Sequence, residues 1–271
     1  MKILVIGGGN MGLTYAQSFL RSHITSKEDM MILEKSPEKA AILSQKDIGT
    51  VYGSPEGCFT IADLIIFAVK PQDANVLFET LKPLADSQQV FMSIMAGVKI
   101  ETICEALGVK KVIRAMPNLP AQIGMGMTAF TSSNEVTRIE LVMVQNLLNT
   151  TGKTIYVENE KAIDASTAIS GSGPAYVFYL IDAMMKAAKE MGFNESEAEL
   201  LVSQTFKGAV DLYNKNNFSC KEWIAKVSSK GGTTEAAMAF YQNESLNKDI
   251  IAGAQAAFDR AEELGGVNVF K

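Results

Sequence analysis

At 271 residues, 47% hydrophobic and 20% charged, the chain has the composition of a soluble globular protein long enough for two domains. Its formal net charge of −5 argues against a general nucleic-acid surface or a polybasic membrane face, and no apolar run reaches the length of a membrane span. Cys58, Cys104 and Cys220 form no C-x-x-C pair and no Cys/His cluster, so neither a metal site nor a disulfide framework is expected, and the reducing cytoplasm is the expected location.

The chain opens on KILVIGGGNMG. Ile3 to Ile6 predict a buried parallel strand, and Gly7, Gly9 and Gly12 follow with G-x-G-x-x-G spacing. The next residues, LTYAQSFL, place Leu13, Ala16 and Leu20 at helical spacing. A strand, a glycine turn and a helix in that order make the start of a dinucleotide-binding unit. In such a unit Gly7 permits the turn, Gly9 lets the backbone approach a pyrophosphate, Gly12 allows close helix–strand packing, and the first helical amides bind phosphate. The segment has no h-region or cleavage site, so no signal peptide is expected. The single histidine, His23, lies in the polar stretch RSHITSKED and is expected at the surface, which removes the usual general acid.

Apolar bursts then alternate with helical stretches. MMILE, a segment at 48–52, DLIIFAVK, QVFMSI, KKVIRAM, GMTAFT and KTIYV read as strands; 37–46, 72–85, 99–107 and 135–150 read as helices. This order predicts an α/β fold with a Rossmann-type, doubly wound, mostly parallel sheet, and GMTAFT and KTIYV extend its far edge. From about Glu160 strand signals stop and only helices follow, so the expected domains are residues 1–158, binding the dinucleotide, and 159–271, all helical. The helix after Pro174 is apolar nearly all round, with Ala175, Val177, Phe178, Leu180, Ile181 and Met184, and must be covered. A homodimer built from the helical domains covers it; the alternative is burial within its own subunit.

Glu34 ends the second apolar run, where a carboxylate accepts both ribose hydroxyls of NAD and repels a 2′-phosphate. Lys35 and Ser36 follow and offset that repulsion in part, so NADH is expected over NADPH. Lys70-Pro71 ends the strand that borders the dinucleotide crevice. The loops at 96–98 and 116–124 follow the next two strands, and Asn118 there is either part of a rigid turn or a cofactor contact. In the helical half, ISGSGPAY (169–176) is a donor-rich entry to the apolar helix. VSSKGGTTEAAM (227–238) sets the hydroxyls of Ser228, Ser229, Thr233 and Thr234 around Gly231 and Gly232 at a helix N-terminus, an anion site suited to a small carboxylate.

These motifs together resemble pyrroline-5-carboxylate reductase over almost the full length: the glycine turn with Asn10-Met11, FAVKPQ, MPN-x-P followed by G-x-GMTAF, SGSGPAY, and VSS-x-GGTTEAAM, in the family's order. The resemblance implies a Rossmann domain followed by a helical dimerisation domain, with dimers or rings of dimers. It also implies reduction of L-1-pyrroline-5-carboxylate to L-proline, the last step of proline biosynthesis, with NADH or NADPH. By position, Gly7, Gly9, Asn10, Met11 and Gly12 hold the pyrophosphate, Glu34 with Lys35 beside it the adenosine ribose, and Ala68, Val69, Lys70 and Pro71 the nicotinamide side. Ser229, Gly231, Gly232, Thr233 and Thr234 bind the substrate, with Thr234 the candidate hydrogen-bond partner of the ring nitrogen. The family usually has Thr where this chain has Leu119, and Pro where it has Lys230. The rival readings are a reductase of a related, six-membered cyclic imine, a β-hydroxyacid dehydrogenase and a non-catalytic NAD-responsive regulator. The dehydrogenase needs a lysine early in the first long helix after the sheet, and here none precedes Lys186.

Overall fold

The computed structural model describes residues 1–266. Its first half alternates β1 (Ile3–Ile6), α1 (Asn10–Arg21), β2 (Met30–Leu33), α2 (Pro37–Ser44), β3 (Thr50–Tyr52) and β4 (Leu64–Phe67). There follow α3 (Ala74–Leu81), β5 (Val90–Ser93), α4 (Ile100–Leu107), β6 (Val112–Met116), β7 (Gly126–Ser132), α5 (Arg138–Asn149) and β8 (Gly152–Tyr156). The strands form one eight-stranded sheet in the order β3-β2-β1-β4-β5-β6-β7-β8. All neighbours are parallel except β6 and β7, which are antiparallel. That reversal follows from the short turn Leu119–Ile123, closed by Gly124 in the left-handed region at φ +73°.

The continuous apolar runs are strands buried on both faces. Ile3 and Val5 of β1 pack on one side with Tyr15 and Phe19 of α1 and Val144, Leu147 and Leu148 of α5. Leu4 and Ile6 pack on the other side with Phe78 and Leu81 of α3 and Ile103 and Leu107 of α4. Arg114 is the exception within β6: it is 1% exposed and its guanidinium is paired at Nη1 with Glu160 Oε1 (3.1 Å) and at Nη2 with Asp164 Oδ1 (2.6 Å).

The rest of the chain is helical: α6 (Glu160–Ser166), running into a π-helical turn at Thr167–Gly171, then α7 (Gly173–Glu190), α8 (Glu195–Asn214), α9 (Cys220–Val227), α10 (Thr233–Asn243) and α11 (Leu246–Gly266). Two compact units result. One is Met1–Ser172 with the chain from Ala257 onward; the other is Gly173–Ala256. Within the first unit α6 is fastened to β6 through Arg114. No residue of α7 is buried, and Phe178 and Tyr179 are 58% and 75% exposed, so this helix is not covered by its own subunit. Among the described residues no helix is long and apolar enough to cross a membrane.

Candidate functional site

The strand order reverses between β1 and β4, the switch point beside which doubly wound sheets bind their ligands. The ends of the three strands there are laced together by backbone: Gly7 N–H donates to Leu33 O (2.9 Å) and Ala68 N–H to Ile6 O (2.9 Å). Gly7 and Gly12 of the turn each have a distinct steric reason. Gly7 has φ +104°, and a Cβ on it would lie 2.7 Å from Ala68 O. A Cβ on Gly12 would lie 2.1 Å from Gly7 O, so α1 packs on β1 only without a side chain there. A Cβ on Gly9 would meet nothing within 4 Å: the space before α1 is open. Gly9 is the N-cap of α1 and no side chain caps that helix, so Asn10, Met11 and Gly12 present the first amides of a helix start to this opening. An uncapped helix end beside an open glycine fits a pyrophosphate.

Glu34, 8% exposed, leans over the turn. Its Oε2 accepts from Gly8 N (3.1 Å) and its Oε1 from Ser36 N (3.0 Å). The carboxylate is thus oriented by backbone donors, and each oxygen keeps a further acceptor position. The Lys35 ammonium points to Asp73, with Nζ 3.1 Å from Oδ1, tying the loop after β2 to the turn Pro71–Asp73 after β4. Pro71 opens that turn after an extended Lys70, and Ala68 and Val69 lie against Gly7 of the glycine turn. Asn118 is held by partners within the protein. Its Nδ2 donates to Ser170 O (3.0 Å) and its Oδ1 accepts from Met127 N (2.9 Å), so the amide braces the π-helical turn against β7.

The residues Ser229, Gly231, Gly232, Thr233 and Thr234 belong to the other unit, where the first three connect α9 to α10 and the two threonines open α10. Gly231 adopts φ +71°, and Gly232, in extended backbone, is the N-cap of α10 with no side-chain cap. Gly232 N–H donates to Ser229 O (2.9 Å), and a Cβ on Gly232 would lie 2.4 Å from Ser229 Oγ. The amides at the start of α10 are therefore open, with hydroxyls of Ser229, Thr233 and Thr234 on the same few residues. Ser228 is used locally, its Oγ donating to Ile224 O (2.7 Å).

Sequence comparison bears on the whole chain. Residues 160–264 match the family described as pyrroline-5-carboxylate reductase dimerisation, and residues 2–97 match that described as NADP oxidoreductase, coenzyme F420-dependent. A pyrroline-5-carboxylate reductase of Bacillus subtilis is 35% identical over 270 residues, covering 97% of this chain and 95% of the relative. This chain belongs to the pyrroline-5-carboxylate reductase family. A reductase of the same name from Haemophilus influenzae is 32% identical, with 97% of each chain covered. The pyrroline carboxylate reductase structure of Plasmodium falciparum with NADP bound superposes with a TM-score of 0.89 at 26% identity, covering 98% of each chain.

Within this reductase family member the two departures from the usual pattern, Leu119 and Lys230, are both exposed. Lys186, far along α7, is paired with Asp182 on its own helix at 2.6 Å. Two groups escaped sequence reasoning. Arg114 interrupts an apolar strand, a signal that a buried charge needs partners, but those partners lie far along the chain. Glu235, three positions after the helix-starting Gly232, has capping-box spacing and its carboxylate accepts from Gly231 N.

Proposed function

We propose that this protein reduces the C=N bond of L-1-pyrroline-5-carboxylate to L-proline, the closing step of proline biosynthesis, using a reduced nicotinamide dinucleotide. The observation that carries the reading is the full-length family match, made over a chain that keeps both an open glycine turn at α1 and an uncapped α10 behind Gly231-Gly232.

The bound cofactor supplies the hydride. The chain's own residues do the rest. Gly7, Gly9, Asn10, Met11 and Gly12 hold the pyrophosphate through α1 amides, Glu34 accepts from the adenosine ribose, and Ala68 to Pro71 flank the nicotinamide. Ser229, Gly231, Gly232, Thr233 and Thr234 bind the substrate carboxylate, and the Thr234 hydroxyl hydrogen-bonds the ring nitrogen where the proton resides. An imine protonates readily, so positioning and oriented dipoles account for most of the acceleration without histidine. Residues 1–158 serve the dinucleotide; 159–271 serve substrate and self-association, with a ring of dimers as the larger assembly.

Two observations support NADH over NADPH: the Glu34 carboxylate is held in place beside the glycine turn, and Lys35 is drawn to Asp73. A spectrophotometric assay with the cyclic imine and each reduced dinucleotide tests both points. The expected outcome is turnover with higher kcat/KM for NADH. No consumption of either dinucleotide would overturn the activity, and clearly better efficiency with NADPH the preference. Thr234→Val should lower kcat about tenfold to a hundredfold, the loss of one hydrogen bond at the reacting atoms, with KM for NADH unchanged.

A further inference from the structure

We propose that Glu235 is a positioning residue for the substrate carboxylate: it holds Gly231 in its left-handed conformation and so keeps the amides of the α9–α10 connection turned outward. The proposal rests on the assignment of that connection to the substrate.

Three other helices show what an acid at this spacing ordinarily does. Thr137 with Glu140 on α5, Asn194 with Glu197 on α8 and Ser219 with Glu222 on α9 form reciprocal boxes, in which the N-cap side chain closes the helix start and the acid accepts from the N-cap amide. At α10 the N-cap is Gly232, so no side chain closes the helix start. The N-cap amide is already given to Ser229 O, and the Glu235 carboxylate reaches one residue further back, to Gly231 N–H. The acid therefore fixes the loop while leaving the first amides of α10 for an incoming anion. Gly231 at φ +71° is among the most freely rotating residues of an unpinned loop, and a charge-assisted hydrogen bond is a strong way to hold it.

The same carboxylate also stands near the place assigned to the substrate's own carboxylate, and the two repel. Glu235 is exposed, so water and salt screen that repulsion, whereas the hydrogen bond acts at contact. Positioning is the larger effect.

Steady-state kinetics of Glu235→Ala and Glu235→Gln decide it. Glu235→Ala should raise KM for the cyclic imine about tenfold, with kcat within about threefold and KM for NADH unchanged, the size of one lost charge-assisted hydrogen bond. Glu235→Gln keeps an oxygen acceptor for Gly231 N–H and removes the repulsion, so its KM should equal or fall below that of the unaltered protein. An unchanged or lowered KM in Glu235→Ala overturns the proposal, and so does a Gln variant as impaired as the Ala variant. Failure of the substrate assignment itself has a different signature: the unaltered protein then gives no turnover, or Thr234→Val leaves every constant untouched.

Discussion

At Gly9 and Gly12, two glycines of one motif can be separated by experiment. A methyl on Gly12 would sit 2.1 Å from Gly7 O, against backbone that cannot yield cheaply. Gly12→Ala should therefore lower stability by about 1–3 kcal/mol or more, the range for overpacking, seen as a lower thermal midpoint. A methyl on Gly9 meets no protein atom within 4 Å, and Gly9 has extended backbone that alanine adopts. Gly9→Ala should cost no more than about 1 kcal/mol, the helix N-cap preference, while raising KM for the dinucleotide severalfold. A Gly9 variant as unstable as the Gly12 variant would contradict the open space before α1. The turn at Gly7 and the close packing at Gly12 were legible from spacing alone because each is a local steric demand. The bracing by Asn118 was not, because its partners Ser170 and Met127 are brought to it by folding.

The elements repeat that pattern. The strands β1, β2, β4 and β5 were visible as apolar bursts, since a strand buried on both faces needs no partner to be recognised. The antiparallel setting of β7 was not visible, since it depends on how the turn Leu119–Ile123 closes. The fastening of α6 was equally hidden: Arg114 finds Glu160 and Asp164 only in the folded chain. Both carboxylates come from one helix and pair with one buried guanidinium, so removing Asp164 leaves the Arg114 Nη2 donors without their partner in the interior. Asp164→Ala should destabilise the protein by about 1–3 kcal/mol, the cost of a buried donor left unsatisfied, measured as a shift of the denaturant midpoint at constant slope. An effect below about 0.5 kcal/mol would mean that the guanidinium is solvated after all. The glycine-rich helix start at Gly231-Gly232 was legible from composition. Its control by Glu235 was not, because the acid bonds one residue beyond the usual box.

For the whole molecule, the fold class and its helical second half followed from the switch in hydrophobic period near Glu160, and the need for a second copy followed from α7. The structure sharpens that need: α7 has no buried residue, and Val177, Phe178, Tyr179 and Leu180 all stand open in the single chain. Phe178→Glu would place a charge in a desolvated contact, and should weaken self-association at least about a hundredfold, giving single-chain mass by light scattering at micromolar concentration. Retention of the larger mass would show that another face joins the copies. Partnership of this kind has a price in dilution. A helical half that is completed only by a second copy ties its soundness to how many chains are present. At nanomolar levels the helical half should slacken first, while the half built on the sheet, with apolar side chains packed on both of its faces, stays whole.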